Sequence, residues 1–449
     1  MVSRLRKTCI NSKSSGFGRV LKALETTEVN SVEAQWSTDF AEAKSCLSES
    51  LYMSQQSLPV IIAGAGPVGM MAAAYLVRQG IPVTVLEKNS TLSMESRAST
   101  FHPSTLDLLD DLGFAKPLLT EGLVASTVQY TSTVHGELGR FNFSEIADLT
   151  RHPFRLQAEQ FRLTRIILDA LKHNPLFTIR FDSELTALTQ DANGVTLTIN
   201  DDTSPVTYRC DWLIGADGAN SAVRRLQDIG FDGFTWPERL IVMTTSADIA
   251  AMRPGISSVS YWADPVRWHF LLRIVGAWRV MMPVPSEIAD DVATNAEYVK
   301  ASLASVLPDE APVSHTTLYR VHQRVADNFR KGRTFLAGDA AHINNPLGGM
   351  GMNGGLHDAL NLTARLSDVI QGKATEETLD GYDRQRRAVT MEAIQVGTIK
   401  NKRNLEAKTE EDQTAFRDEI RNAMSSLDSR RAFLRRIAMI DSLEHAATL

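Results

Sequence analysis

The chain has 449 residues, 22% charged and 43% hydrophobic, the balance of a globular protein with room for two or three cores. A formal net charge of -6 and the lack of any basic block leave no electrostatic footprint for nucleic acid. Cys9, Cys46 and Cys210 have no short pair spacing, which argues against a disulfide framework or a zinc site, and no apolar run reaches the roughly 18 residues of a membrane span.

Residues 1–52 read as a leader, either disordered or targeting. Before Glu25 the segment carries Arg4, Arg6, Lys7, Lys13, Arg19 and Lys22, several serines and no acid, the composition of a mitochondrial transit peptide. On the other reading Met53 opens a natural amino terminus, the leader is an artefact, and the protein is cytoplasmic.

Val60–Ala63 is a continuous apolar run, suited to a buried parallel strand. Gly64, Gly66 and Gly69 then spell G-x-G-x-x-G. The first makes a tight turn, the second lets a pyrophosphate approach the backbone, and the third permits close helix–strand packing. Pro67 suits the first turn of a helix that ends near Gly80, and Ile81–Leu86 form a second strand. Glu87 follows Gly64 by 23 residues, where a carboxylate accepts hydrogen bonds from both ribose hydroxyls of an adenosine. These elements in register point to a bound dinucleotide, without choosing FAD or NAD.

Trp212–Ile214 read as another buried strand, Asp217-Gly218 as a turn, and Ala219–Arg225 as a helix with Ser221 capping and Arg224 and Arg225 exposed. Period-two alternation over 226–329 predicts an antiparallel sheet. On it Tyr261, Trp262, Trp268, His269, Phe270 and Arg273 are pocket liners, plain sheet packing or surface. Thr334–Ala337 form a short strand, with Asp339 just past its carboxyl end, where open α/β sheets bind ligands. Leu356, Ala359, Leu360 and Leu366 share one helical face, so glycines 348–355 are expected to form the loop entering that helix. Its N–H groups and dipole would favour negative charge. His342 and His357 lack ligand spacing and are expected to be structural or pocket histidines, with no metal. Charged helical segments after Gly372 form a carboxy-terminal cap.

Together the G-x-G-x-x-G at 64–69, the D-G at 217–218 and the G-D at 338–339 resemble the class A flavoprotein monooxygenases, the FAD-dependent aromatic hydroxylases typified by p-hydroxybenzoate hydroxylase. The resemblance runs over about residues 58–390 and includes the stretch after Asp339, A-H-x-x-N-P-x-G-G-x-G-x-N-x-G. Asn345 stands there where the family often has the first of two prolines.

The resemblance implies an α/β chain with a Rossmann-like FAD domain at 53–128, 154–225 and 330–372. An inserted antiparallel-sheet substrate domain would take 129–153 and 226–329, and carboxy-terminal helices 373–449. Gly64, Gly66, Pro67, Val68 and Gly69 would hold the FAD pyrophosphate, and Glu87 the ribose. Arg97 would reach the FAD backbone and border the active site, and Gln160, or Gln157 in the alternative register, would contact the flavin. Asp217 would serve FAD packing and nicotinamide use. Gly338 and Asp339 would meet the ribityl chain, and Gly348, Gly349, Gly351, Met352 and Asn353 would lie along the isoalloxazine. The Pro346 carbonyl would face the reacting ring, making Pro346 and Arg97 the catalytic candidates.

The activity implied is hydroxylation of a small phenolic or heteroaromatic substrate, using NADPH or NADH and O2 through a C4a-hydroperoxyflavin. A homodimer is compatible with this. Epoxidation, decarboxylative hydroxylation or ring modification would use the same flavin chemistry. A flavin-dependent halogenase is disfavoured because its W-x-W-x-I-P signature is absent. A non-catalytic flavin binder is disfavoured because all three motifs are intact.

Overall fold

The computed structural model describes residues 58–95, 98–200, 205–307 and 311–449. The proposed leader, at 1–52, therefore lies outside the described residues. One sheet runs in the order Arg330–Lys331, Thr334–Leu336, Pro205–Gly215, Leu58–Ala63, Val83–Leu86, Phe177–Arg180. Leu58–Ala63 is parallel to both neighbours, with Ile62 opposite Ile214 and Val85, and Gly215 in turn faces Leu336 on the parallel strand Thr334–Leu336. Val60, Ile61 and Ile62 are fully buried, as expected of a strand covered on both faces. This register has a functional consequence. The three strands that carry the three motifs are adjacent and parallel, so Ala63, Gly215 and Leu336 release the chain at one edge of the sheet.

Two helices leave that edge. Pro67–Arg78 follows the glycine loop, and Met350–Ile370 packs along it. The second helix starts earlier than the sequence suggests. Its N-cap is Gly349, at φ +69, so Gly351, Gly354 and Gly355 lie inside the helix and only residues up to Gly349 form loop. Glycine is a poor helix former, and here tertiary contact overrides that preference.

A second, larger sheet runs His342–Ile343, Val313–Ala326, Phe231–Thr245, Ala277–Val284, His269–Ile274, Val259–Ala263, Thr127–Ser132, Gly136–Asn142. Its pairings are antiparallel except that Val259–Ala263 runs parallel to Thr127–Ser132. Alternation sends Leu240, Val242, Tyr261, Phe270 and Met281 toward Leu405, Phe416 and Phe433 of the carboxy-terminal helices. Ile241, Met243, Leu271, Val280 and Met282 face the other way, with Val299 and Leu303 of the helix Ala296–Ala304. Both faces are thus covered, and each large apolar side chain so buried contributes about 1.5–3 kcal/mol.

A small sheet of Thr100–Phe101, Arg155–Gln157 and Leu123–Ala125 lies near the helix start at Met350. The carboxy-terminal region is helical, with a π-helical turn at Thr390–Gln395 leading into Val396–Glu406. Among the described residues no helix is long and apolar enough to cross a membrane.

Arg224 departs from expectation. Ser221 does cap the helix Ala222–Leu226, but Arg224 is buried rather than exposed. Its guanidinium donates to Ala340 O at 2.8 Å and Ala219 O at 2.7 Å and stacks 3.7 Å from the Phe231 ring centroid. Successive helical residues point about 100° apart, so adjacent arginines cannot share one environment.

Candidate active site

The glycine loop closes with Gly64 N–H donating to Leu86 O at 2.7 Å. Gly66 caps the following helix without a side chain, so the first-turn N–H groups lack intrahelical acceptors. A β-carbon placed on Gly66 meets no protein atom within 4 Å, which is the open space a pyrophosphate requires. Beside it, Glu87 is held at the end of its strand. One carboxylate oxygen accepts Ala65 N–H at 2.9 Å, and the other accepts Asn89 N–H at 3.0 Å and Asn89 Nδ2 at 2.6 Å.

The second motif packs directly against the first, since a β-carbon on Gly64 would stand 2.9 Å from Asp217 Cα. Asp217 Oδ2 accepts the N–H groups of Ala222 at 2.7 Å and Val223 at 3.1 Å. Its Oδ1 is buried without a hydrogen-bond partner among the described residues. Asp339 follows in the turn Gly338–Ala340, exposed at the same sheet edge, while Gly338 is buried and donates its N–H to Asp358 Oδ2 at 3.1 Å.

Asp358 anchors this turn from behind. It is fully buried and takes His342 Nε2 at 2.7 Å on one oxygen and Arg386 Nε at 2.7 Å on the other. Although burial opposes its charge, His342 and Arg386 hold its carboxyl well below the ordinary range. His357 instead meets Thr105 Oγ1 at 2.9 Å, and burial pushes its pKa down to about 3. Both histidines are thus committed to the structure around the site.

In the third motif, Pro346 O accepts Gly349 N–H at 3.0 Å and closes the turn before the helix Met350–Ile370. Asn353 spends its whole side chain on bracing this turn. Its Oδ1 accepts His102 N–H at 2.9 Å, and its Nδ2 donates to Thr100 O at 2.8 Å and Gly349 O at 2.7 Å. His102 Nε2 lies 2.9 Å from Gly348 O and 3.1 Å from Gly349 O. Both are acceptors, so Nε2 carries the proton and Nδ1 the lone pair. Burial, reinforced by the charge of Arg155, depresses the ring's pKa well below its usual value, and the imidazole is neutral.

Asn345, in the family's proline position, has its own hydrogen-bonding account. It is 1% exposed, and its Oδ1 accepts Leu347 N–H at 3.1 Å. Its N–H and Nδ2 donate to Gln323 Oε1 at 3.1 and 3.2 Å, and Gln323 Nε2 continues to Thr398 Oγ1 at 2.9 Å. Asn401 Nδ2 donates to Leu347 O at 3.2 Å. The turn is therefore fastened to both the large sheet and the carboxy-terminal helix.

Asn401 also lines a small cavity of about 30 Å³, open to solvent, together with Tyr130, Tyr261, Leu405, Phe433 and Ile437 and the charged Glu419 and Arg436. Tyr130 stacks on Tyr261 at 5.3 Å, and Tyr130 meets Phe433 edge to face at 5.7 Å. Burial keeps the Tyr130 hydroxyl protonated. Of the expected liners, Tyr261 reaches this cavity and Phe270 shares its face. Trp268 is buried in the same cluster. Trp262 packs toward the opposite face and stacks on His269 at 5.5 Å, and Arg273 is exposed.

Gln160 begins the helix Gln160–Leu171, its N–H bonded to Ala98 O at 2.9 Å, whereas Gln157 is buried in the small sheet and accepts Thr100 Oγ1 at 2.8 Å. Arg97 lies outside the described residues. Sequence reasoning missed His102, Tyr130, Asn401 and Arg155, which come from separate elements and carry no local motif.

A dinucleotide loop, an acid beyond the third strand and a glycine turn heading a helix, all on one sheet edge beside an aromatic cavity, define a flavin-dependent monooxygenase. Residues 57–396 match the family model described as FAD binding domain, and the chain belongs to that family, as an FAD-dependent aromatic hydroxylase. It is 34% identical over 339 residues to para-nitrophenol 4-monooxygenase of Pseudomonas sp. (strain WBC-3), covering 74% of this chain and 83% of that protein. It is 32% identical over 383 residues to 6-hydroxy-3-succinoylpyridine 3-monooxygenase HspB of Pseudomonas putida (strain DSM 28022 / S16), covering 84% and 96%. The crystal structure of p-nitrophenol 4-monooxygenase PnpA from Pseudomonas putida DLL-E4 superposes with a TM-score of 0.81 at 29% identity, over 85% of this chain and 98% of that one.

Proposed function

We propose that this protein hydroxylates a small phenolic or heteroaromatic ring, consuming O2 and NADPH or NADH, with the ring held between the Tyr130–Tyr261 cavity and the Pro346–Gly349 turn. The observation that carries this reading is Asn401, which lines the aromatic cavity and holds Leu347 O of the turn. Bound FAD, reduced by the nicotinamide, supplies the oxygen-activating chemistry.

The chain's own groups do the rest. The open face at Gly66 receives the pyrophosphate, Glu87 the adenosine ribose, and Asp339 the ribityl hydroxyls. N–H groups of Met350, Gly351 and Met352, at the amino terminus of their helix, would favour negative charge on a bound flavin. Gly348, Gly349 and Asn353 shape that approach, Gln160 closes the other side, and Asp217 secures the packing beneath. The Pro346 carbonyl retains a second lone pair beside its bond to Gly349, free to orient a ring hydroxyl. The large sheet, with the stretch at 129–153, forms the substrate domain, and covering the ring excludes water from the reaction.

Purified FAD-loaded protein should oxidise NADPH or NADH faster when a phenol or hydroxypyridine is added, and product masses should show one added oxygen. No stimulation across both ring classes, with FAD bound, contradicts this reading. Epoxidation or decarboxylative hydroxylation is separated from it by the product masses.

A further inference from the structure

Arg155 and Gln157 of the small sheet and His102, just past its first strand, carry three buried polar atoms with no partner among the described residues: His102 Nδ1, Arg155 Nε and Gln157 Nε2. Arg155 is the unusual member. It is 1% exposed, its Nη2 donates to Ile437 O at 3.1 Å, and its guanidinium lies 5.6 Å from the Phe143 ring centroid. No carboxylate among the described residues forms an ion pair with it, whereas the equally buried Arg386 is matched by Asp358. A guanidinium cannot shed its proton to escape the cost of burial, so an unmatched one calls for an anion.

The position of Arg155 indicates which anion. Ile437, whose carbonyl it takes, and Tyr130, on which its charge acts, both line the aromatic cavity. His102, on which its charge also acts, holds the carbonyls of Gly348 and Gly349. Arg155 therefore stands between the cavity wall and the flavin-side turn, with an unsatisfied donor.

Building on the aromatic hydroxylase reading, we propose that Arg155 is a specificity-determining residue that selects ring substrates bearing an anionic oxygen, carboxylate or phenolate, and that the substrate completes its missing ion pair. The planar guanidinium offers two parallel donors, which suits either oxyanion.

The test is ligand binding to FAD-loaded enzyme, followed by perturbation of the flavin absorbance. One arm compares 4-hydroxybenzoate with the neutral 4-hydroxybenzamide, and the other compares 4-nitrophenol above and below its own pKa. The arm in which the charged form binds on the order of 10–100-fold tighter identifies the oxyanion. Arg155→Met should abolish that preference while leaving FAD content and neutral-ring affinity unchanged, and Arg155→Lys should keep part of it. If Arg155→Met does not fold, Arg155→Lys decides: KM should rise for the anionic ring, with kcat for the neutral ring unchanged. A charge preference that survives in FAD-loaded variants, or wild-type enzyme that binds rings without any preference, overturns the role of Arg155 and leaves the hydroxylase reading standing. Wild-type enzyme whose flavin responds to no ring at all overturns both.

Discussion

Gly355 and Val68 meet with no room for a β-carbon: one placed on Gly355 would lie 2.7 Å from Val68 Cγ2 and 2.9 Å from Gly338 Cα. This contact joins the first and third motifs, because Val68 belongs to the first helix and Gly338 to the turn that carries Asp339. Glycines within 338–355 thus serve two purposes. Those up to Gly349 shape a turn, and Gly355 lets two helices close against each other.

Two glycine substitutions should therefore behave oppositely. Gly355→Ala overpacks a buried contact and should cost about 1–3 kcal/mol, lowering the Tm of the apoprotein and weakening FAD retention together. Gly66→Ala meets no protein atom within 4 Å and sits in extended backbone at φ -69, ψ 178. It should leave the apoprotein Tm unchanged and weaken FAD in a titration. Full FAD affinity in Gly66→Ala would remove the pyrophosphate from that loop.

Asn345→Ala separates turn geometry from cofactor binding. It strands Leu347 N–H and one lone pair of Gln323, a loss of about 1–3 kcal/mol at a buried site. On the proposed arrangement, in which this turn borders the substrate, kcat should fall several-fold while FAD content changes little. Asn345→Asp keeps the acceptor for Leu347 but sets a buried carboxylate oxygen against Gln323 Oε1, so its kcat should fall at least as far as that of Asn345→Ala. Steady-state kinetics alongside flavin quantitation checks the ordering, and equal kcat in all three proteins would contradict it.

The parts legible in the sequence were those set by local sterics and periodicity. Strand, glycine turn, helix and acid from Val60 to Glu87 follow from neighbouring residues alone, and so does the strand end at Asp339. What stayed hidden depends on contacts between distant segments. Nothing near Arg224 distinguishes it from Arg225, and only the approach of Ala340 and Phe231 buries one of them. The run of glycines at 348–355 reads as loop throughout, whereas it is helical from Met350 on, and the close approach of Val68 to Gly355 explains a glycine inside that helix. Alternation in the large sheet told which residues share a face, but not which face meets the turn. Tyr261 and Trp262 could therefore be separated only once Tyr130 and Phe433 were in place.

Asp358→Asn tests the buried triad behind the Gly338 turn. It leaves Arg386 charged, buried and unmatched, and breaking such a pair costs about 3–5 kcal/mol. The loss should appear in denaturant melts of the apoprotein and should also loosen FAD, because Gly338 N–H loses its charged acceptor. His342→Asn removes one hydrogen bond and should cost less, about 1–3 kcal/mol. A triad that serves binding alone would give the reverse pattern, with FAD loss and an unchanged melt.

Acid stability follows from three buried neutral histidines. Burial lowers the pKa of His102 well below the ordinary value, that of His269 to about 4 and that of His357 to about 3. Below about 6.5 the unfolded chain takes up protons that the folded chain refuses, so stability falls as pH drops. The slope is about 1.4 kcal/mol per pH unit for each histidine, and the loss continues until each folded-state pKa is reached. Asp358 acts in a separate window. Its folded pKa is depressed, so its contribution is intact above about 3.8 and is lost only on further acidification. Between neutrality and about pH 5 the histidines therefore dominate among these groups, with roughly 2 kcal/mol lost for each. Thermal melts should show a falling Tm across that interval, and His357→Gln, measured against its own value at neutral pH, should fall less steeply by about one proton's share. A Tm that stays flat over the same interval would mean that the three rings take up protons without unfolding.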